Sequence, residues 1–137
     1  MTGPTHKSTW KARERQAAAM FGAKRNRCSG SSGLAHESRS DSNHPRLFLE
    51  VKLRAKCAVW QLFKATAELA RKEKKTPVVL LALKGQADFL VVVRSSDLRA
   101  LIAEYAAALP EGDKDALEGS IRRAYLEQRG ELEEGEA

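Results

Sequence analysis

A carboxylate and an ammonium group stand two residues apart in the otherwise apolar segment RLFLEVKL, residues 46–53. Side chains alternate along a β-strand, so Glu50 and Lys52 share one face, with Cβ atoms roughly 7 Å apart. Asp41 lies upstream, and Pro45 favours an extended or turn conformation that sets the Asp41 carboxylate beside the strand. We therefore expect these three charged groups to reach one small ligand. Because solvent-facing strands are often charged, a structural ion pair is the alternative interpretation.

The same alternation predicts a two-faced strand. The apolar face is expected to be core, and the other face carries the charges. A segment so rich in Leu and Val is typical of a central strand between helices, where charged groups are seldom buried without a partner or a metal. The core face comprises Leu47, Leu49, Val51 and Leu53, and the charged face comprises Phe48, Glu50, Lys52 and Arg54.

A third carboxylate comes from the first predicted helix. Glu14 is four residues after Trp10 and three before Ala17, beside the apolar stripe of that helix. A carboxylate on an inward face needs a cation, and a metal shared with Asp41 and Glu50 would supply one. The alternative is an exposed ion pair of Glu14 with Lys11 or Arg15.

The helices and strands that must position these groups can be predicted from the sequence. Together they indicate an α/β domain with a small mixed β-sheet flanked by helices. Hydrophobic periodicity gives the order α, β, β, α, β, β, α, α. Two β-branched runs joined by KGQA, residues 84–87, indicate a hairpin or a short connection. The helices are predicted at residues 8–22, 55–75, 96–109 and 110–128, and the main strands at 46–53, 77–83 and 88–94.

Length predicts one domain for this chain of 137 residues. We expect a flexible N-terminal tail at residues 1–9, a folded domain at 10–129 and an acidic tail at 130–137. The Ser/Gly-rich stretch at residues 29–42 predicts a mobile loop. Cys28 and Cys57 have no CxxC or Cys/His neighbours, so neither a disulfide framework nor a zinc site is indicated.

Charge is unevenly distributed along the chain. Residues 1–75 carry a net charge of +11, whereas residues 76–137 carry a net charge of −5. Such a basic half fits a polyanion partner, because Lys and Arg release counterions from phosphates. No apolar run is long enough to span a membrane and no secretory leader is visible, which predicts a soluble, cytoplasmic protein.

These residues together resemble the PD-(D/E)XK nuclease superfamily, and within it the archaeal-type Holliday junction resolvases with related short phage and bacterial proteins. The resemblance covers about residues 10–100. Ser40 stands where the family has Pro, and the spacing from Asp41 to Glu50 is shorter, which implies a tight turn. The matching segments are Glu14–Arg15, Ser29–Gly30, Asp41–Pro45, Leu49–Arg54 and Pro77–Lys84.

The resemblance implies a restriction-endonuclease-like fold and hydrolysis of phosphodiesters with Mg²⁺, or Mn²⁺ as a substitute. Asp41, Glu50 and the Val51 carbonyl would bind the metal, and Lys52 would position or help deprotonate the attacking water. Glu14 would bind a second metal or its water. The implied DNA contacts are Ser29 and Ser32 at the phosphate, with Arg25, Arg27, Arg39, Arg46 and Arg54 on flanking phosphates.

The expected substrate is a four-way DNA junction in recombination or in the resolution of phage DNA. The two-fold symmetry of the junction implies a homodimer that nicks opposing strands. The expected location is the cytoplasm or, for a phage protein, the host cytoplasm. His44 is interpreted as a turn residue. The alternatives are another DNA nuclease of this fold acting on flaps, nicks or restriction-type sites, a non-catalytic DNA-binding protein, and an adaptor that uses its acidic tail.

Overall fold

Four α-helices and one β-hairpin form the regular secondary structure of residues 6–27 and 39–131, which the computed structural model describes. The chain is thus mixed α/β with a small two-stranded antiparallel sheet. The elements are α1 (His6–Met20), α2 (Ala58–Lys72), β1 (Val79–Leu81), β2 (Leu90–Val92), a 3₁₀ turn (Ser95–Asp97), α3 (Leu98–Ala108) and α4 (Glu111–Arg129).

The chain divides into two compact units, Met1–Ala55 and Lys56–Ala137. The single nuclease domain at residues 10–129 stays a prediction. Two of the predicted boundaries change, however. Helix α1 begins at His6, so residues 6–9 are helical rather than part of a tail. Residues 40–42 are buried and hydrogen-bonded, so this end of the predicted mobile loop is fixed, while residues 28–38 lie outside the described part.

Helix α1 ends where the sequence predicts, because Gly22 supplies a left-handed residue with φ of 70°. The N–H of Ala23 donates to the carbonyl of Ala18 at 3.0 Å, and the N–H of Gly22 donates to that of Ala19 at 3.1 Å. This pair of bonds is the Schellman motif, which satisfies carbonyls that the helix leaves unpaired. Helix α4 ends in the same way at Gly130, with φ of 69°.

The predicted strand at residues 46–53 is wrong, because this segment has no regular strand structure. Its amide groups at Leu49 and Val51 bond to the side chains of Ser40 and Asp41. Side-chain partners of this kind compete with the backbone ladder of a sheet. The described order is therefore α, α, β, β, α, α, without the two strands predicted before α2.

The alternation along this segment is nevertheless present. Leu49, Val51 and Leu53 are partly buried, and the side chains between them are exposed. The interpretation as a buried central strand is wrong, since Leu47 is 41% exposed and the side chains of Glu50 and Lys52 are 50% and 60% exposed. Water therefore reaches both charges.

The second unit contains the predicted hairpin. Strands β1 and β2 pair antiparallel, with Val79 opposite Val92 and Leu81 opposite Leu90. Phe63 of α2 and Val79 are the buried apolar side chains of the described part of this unit. The strands are shorter than the apolar runs that predicted them.

Helix α2 also closes with a Schellman motif, but Lys74 occupies its left-handed position with φ of 56°. A side chain with a Cβ is strained there by about 1–2 kcal/mol, part of which glycine recovers. We expect Lys74→Gly to raise the free energy of unfolding by about 0.5–1 kcal/mol, measured by urea denaturation. The matched control Lys72→Gly, at the last residue of α2, should lower it by up to about 1 kcal/mol. Destabilisation by both variants would contradict this account.

Candidate functional site

Asp41 is hydrogen-bonded to the residues on both sides of Glu50. Its N–H donates to the carbonyl of Leu49 at 2.7 Å, and its Oδ2 accepts from the N–H of Val51 at 2.5 Å. The residue is 6% exposed. Asp41 thus lies beside the segment that carries Glu50 and Lys52, as the sequence predicts, although that segment is not a strand.

Ser40 fixes this arrangement, a role that its sequence pattern did not predict. Its Oγ accepts from the N–H of Leu49 at 2.8 Å and from the N–H of Ser42 at 3.3 Å, and donates to the carbonyl of Leu49 at 3.2 Å. A proline, which the family resemblance predicts at this position, has no such oxygen. The available signal was the Ser-Asp-Ser run, since Ser and Asp side chains bond readily to nearby backbone.

A second set of bonds joins residues 40–43 to the segment after α1. Arg25 and Ser42 form an isolated antiparallel bridge. On either side of it, the N–H of Asn43 donates to the carbonyl of Lys24 at 3.0 Å, and the N–H of Asn26 donates to that of Asp41 at 3.0 Å. Residues 40–43 therefore lie between the two other segments and bond to both.

The short spacing between Asp41 and Glu50 is accommodated by a tight turn around His44. The Nδ1 atom of His44 accepts from the N–H of Arg46 at 3.0 Å and from that of Leu47 at 2.9 Å. The N–H of His44 in turn donates to the Oγ of Ser42 at 3.3 Å. This confirms the interpretation of His44 as a turn residue.

Glu14 faces inward, as its position beside the apolar stripe predicts, and is 0% exposed. Its partner is Arg25, whose Nε donates to Oε2 of Glu14 and whose side chain is 17% exposed. The alternative of an exposed pair with Lys11 or Arg15 is therefore wrong. The other oxygen, Oε1, is buried and has no hydrogen-bond partner among residues 6–27 and 39–131. In proteins, a buried oxygen of this kind is commonly satisfied by a bound water or cation.

Glu50 and Lys52 form an ion pair with 2.6 Å between Oε1 and Nζ. Both side chains are half exposed or more, and an exposed pair contributes little to stability. The fold therefore does not depend on these two charges. Both charged groups are accessible to a ligand that approaches from the solvent.

The structure does not gather the predicted carboxylates into one metal-binding group. Within residues 6–27 and 39–131, no three side chains of His, Cys, Asp or Glu are arranged to hold a metal ion. One oxygen of Asp41 accepts from Val51, and one oxygen of Glu14 accepts from Arg25. The shared metal of Glu14, Asp41 and Glu50 stays a prediction.

The predicted DNA contacts fall into three groups. Arg25 is partly buried against Glu14, so its charge already has a partner inside the fold. Ser29 and Ser32 lie outside the described residues. Exposed positions in the first unit are occupied by Arg27, Arg39, Arg46 and Arg54.

Comparison of the chain with protein-family models, with curated proteins and with solved structures finds no match. The family resemblance therefore depends on the motif residues themselves. Across the described part of the chain, no helix is both long enough and apolar enough to cross a membrane.

Removing the Ser40 hydroxyl should loosen the segment that carries Glu50. Ser40→Ala leaves the Leu49 N–H without its partner, and we expect the free energy of unfolding to fall by about 1–3 kcal/mol. Amide hydrogen exchange should also show faster exchange at Leu49. The control Ser96→Ala, at an exposed position in the second unit, should change neither measurement. Unchanged protection of the Leu49 amide in Ser40→Ala would show that the hydroxyl is dispensable.

Glu14 and Arg25 should depend on each other for stability. Glu14→Leu leaves the Arg25 charge without its partner in a largely buried position, so we expect a loss of about 3 kcal/mol in the free energy of unfolding. Combining it with Arg25→Met removes both charges and should restore most of that loss. A double-mutant cycle by urea denaturation measures the coupling. Strictly additive effects of the two changes would rule out an energetically coupled pair.

Proposed function

We propose that this chain is a metal-dependent DNA endonuclease with a restriction-endonuclease-like fold. It cleaves four-way junctions by phosphodiester hydrolysis, with paired symmetrical nicks. The observation that carries the proposal is a pair of hydrogen bonds on either side of Glu50. The N–H of Asp41 donates to the carbonyl of Leu49, and Oδ2 of Asp41 accepts from the N–H of Val51. They set two carboxylate-bearing segments side by side in the first unit.

The donor chemistry of these segments fits Mg²⁺. This ion prefers oxygen ligands, keeps several waters and is commonly bound through one or two carboxylates, so a three-carboxylate group is not required. Asp41 and Glu50 would hold it, with the Val51 carbonyl as a further oxygen and Mn²⁺ as a substitute. When bound, the ion supplies an activated water and neutralises charge on the phosphate.

Lys52 has the position of a charge-stabilising group. Its Nζ lies 2.6 Å from Oε1 of Glu50, so the ammonium stands at the carboxylate that would hold the metal. There it donates hydrogen bonds to the attacking water and to phosphate oxygens, where negative charge grows in the transition state. Oε1 of Glu14 has no hydrogen-bond partner among the described residues, so it would accept a hydrogen bond from a further water or bind a second cation.

The remaining residues would position the DNA. Arg27, Arg39, Arg46 and Arg54 are exposed in the first unit, and arginines on phosphates fix register without reading bases. The protein would therefore recognise the branched shape of the DNA. A four-way junction has two-fold symmetry, so two copies of the chain would each cut one of two opposing strands.

A non-catalytic DNA-binding protein is the second candidate. Two observations favour it, namely the ion pair between Glu50 and Lys52 and the lack of a three-ligand metal group in the described ranges 6–27 and 39–131. On this view the two charges hold each other in water and the basic residues bind DNA without cutting it. A nuclease acting on flaps, nicks or restriction-type sites is an alternative within the first class.

Junction cleavage separates these candidates. We expect the protein with Mg²⁺ to nick a labelled four-way junction symmetrically and to leave a linear duplex of the same sequences intact. EDTA and Glu50→Ala should each abolish cleavage while binding survives, and Lys52→Ala should slow it about 100-fold or more. The matched control is Glu104→Ala, at an exposed carboxylate of the second unit, which should cleave at the original rate.

Each other result contradicts a defined part of the proposal. Cleavage of both substrates would refute junction selectivity and leave a nuclease of broader substrate range. Binding of the junction without cleavage, with either Mg²⁺ or Mn²⁺, would refute catalysis and favour the DNA-binding protein. Cleavage that is equal in Glu50→Ala would remove Glu50 from the site.

A further inference from the structure

Two adjoining cavities of opposite character lie in the second unit, and Arg94 lines both of them. The first, which we call the aromatic cavity, has a volume of about 180 Å³ and is lined by Trp60, Phe63 and Val92 among others. The second, which we call the basic cleft, has a volume of about 540 Å³ and is lined by Lys64, Arg71, Lys75 and other polar residues. None of these residues belongs to the site proposed for hydrolysis.

The aromatic cavity presents an indole that is anchored and yet exposed. Trp60 contacts Phe63 edge to face, with ring centroids 6.1 Å apart and an interplanar angle of 82°. Phe63 is buried at 2% exposure, whereas Trp60 is 57% exposed. A held, solvent-facing indole is a surface on which a flat apolar or aromatic group can stack.

The basic cleft has an excess of positive charge. Lys64 and Arg71 project from α2, and Lys75 follows that helix. Two carboxylates, Glu68 and Asp97, also line the cleft, but Glu68 is already bonded to Arg71 at 2.6 Å. With Arg94 the cleft holds four cations against two anions, a balance that favours an anionic ligand.

Arg94 connects the two environments. Its guanidinium carbon lies 5.3 Å from the centroid of the Phe63 ring, a cation–π contact that restrains the side chain. The charge therefore stands at the point where the apolar wall ends and the basic cleft begins. A simple anion would need only the cleft, and an apolar peptide would need only the cavity. A ligand that joins a flat ring to a phosphate uses both.

We infer that these two cavities form a binding site for an unpaired nucleotide of single-stranded nucleic acid. The base stacks on Trp60, and the phosphates lie in the basic cleft, with Arg94 between them. Stacking on aromatic side chains combined with cations along the backbone is how proteins bind single strands without sequence preference. The site lies in the second unit and requires no cleavage, so it goes beyond the proposed nuclease function. It also predicts a preference for DNA that contains unpaired nucleotides.

Tryptophan fluorescence tests the site directly, because the chain has two tryptophans. In a Trp10→Phe variant, Trp60 is the remaining tryptophan. We expect a short oligo(dT) in EDTA to quench it, and anisotropy of a labelled oligo(dT) with the unmodified protein gives an independent binding curve. Trp60→Ala should weaken binding about ten-fold. Arg94→Ala should weaken it about ten-fold and lower the slope of log K against log salt by about 0.7.

The matched control is Arg99→Ala, an exposed arginine that lines neither cavity, which should bind within two-fold of the original protein. Equal weakening by Arg99→Ala and Arg94→Ala would overturn the site in favour of diffuse charge attraction. Equal affinity for inorganic polyphosphate or for a duplex of the same length would overturn stacking of a base. Retention of binding in Glu50→Ala supports a site independent of catalysis, so a failed cleavage experiment leaves this inference standing.

Discussion

The buried part of the first unit is polar, and its hydrogen bonds determine where every candidate catalytic group lies. Ala18 is its buried apolar side chain among the described residues, whereas Glu14, Ser40, Asp41 and Ser42 are all buried. Apolar contacts have no preferred direction, whereas a buried polar network is stabilised by hydrogen bonds between its donors and acceptors. The position of Asp41 beside the Glu50 segment is therefore fixed by direction-dependent bonds.

This network explains how the exposed charges of the candidate site can be held in place. Glu50 and Lys52 themselves are in water and contribute little to stability. Their backbone neighbours, Leu49 and Val51, are fixed by the buried side chains of Ser40 and Asp41. The two candidate groups thus stay accessible to solvent while the residues that position them are shielded from it, as precise sites require.

The helices could be predicted from the sequence, whereas the irregular backbone at residues 46–53 could not. Helix α1 and its end at Gly22 follow from spacing and from the left-handed conformation that glycine allows. Alternation at residues 46–53 predicted the partial burial of Leu49, Val51 and Leu53 but not the exposure of Leu47, and it carries no information on what the backbone bonds to. The decisive partner is the hydroxyl of Ser40, and the Ser-Asp-Ser run around it indicates bonding to nearby backbone without indicating which backbone group is bonded. The burial of Glu14 was predictable from its helix face, but its pairing with Arg25 was not.

Charge distribution gives the two units different parts in binding a polyanion. The proposed hydrolytic site contributes carboxylates, which repel a phosphate until cations offset them. The compensating charge in the first unit comes from arginines, one of which, Arg25, forms an ion pair with Glu14.

In the second unit, cations accumulate on and after α2, while α4 begins with Glu111 and Asp113. In the proposed binding of nucleic acid, attraction by that unit would therefore arise locally at the basic cleft, which Arg94 joins to an aromatic surface. A uniformly basic protein would bind duplex and single strands alike by charge, whereas a cleft joined to an exposed indole distinguishes them, because a base can reach the indole only when it is unpaired.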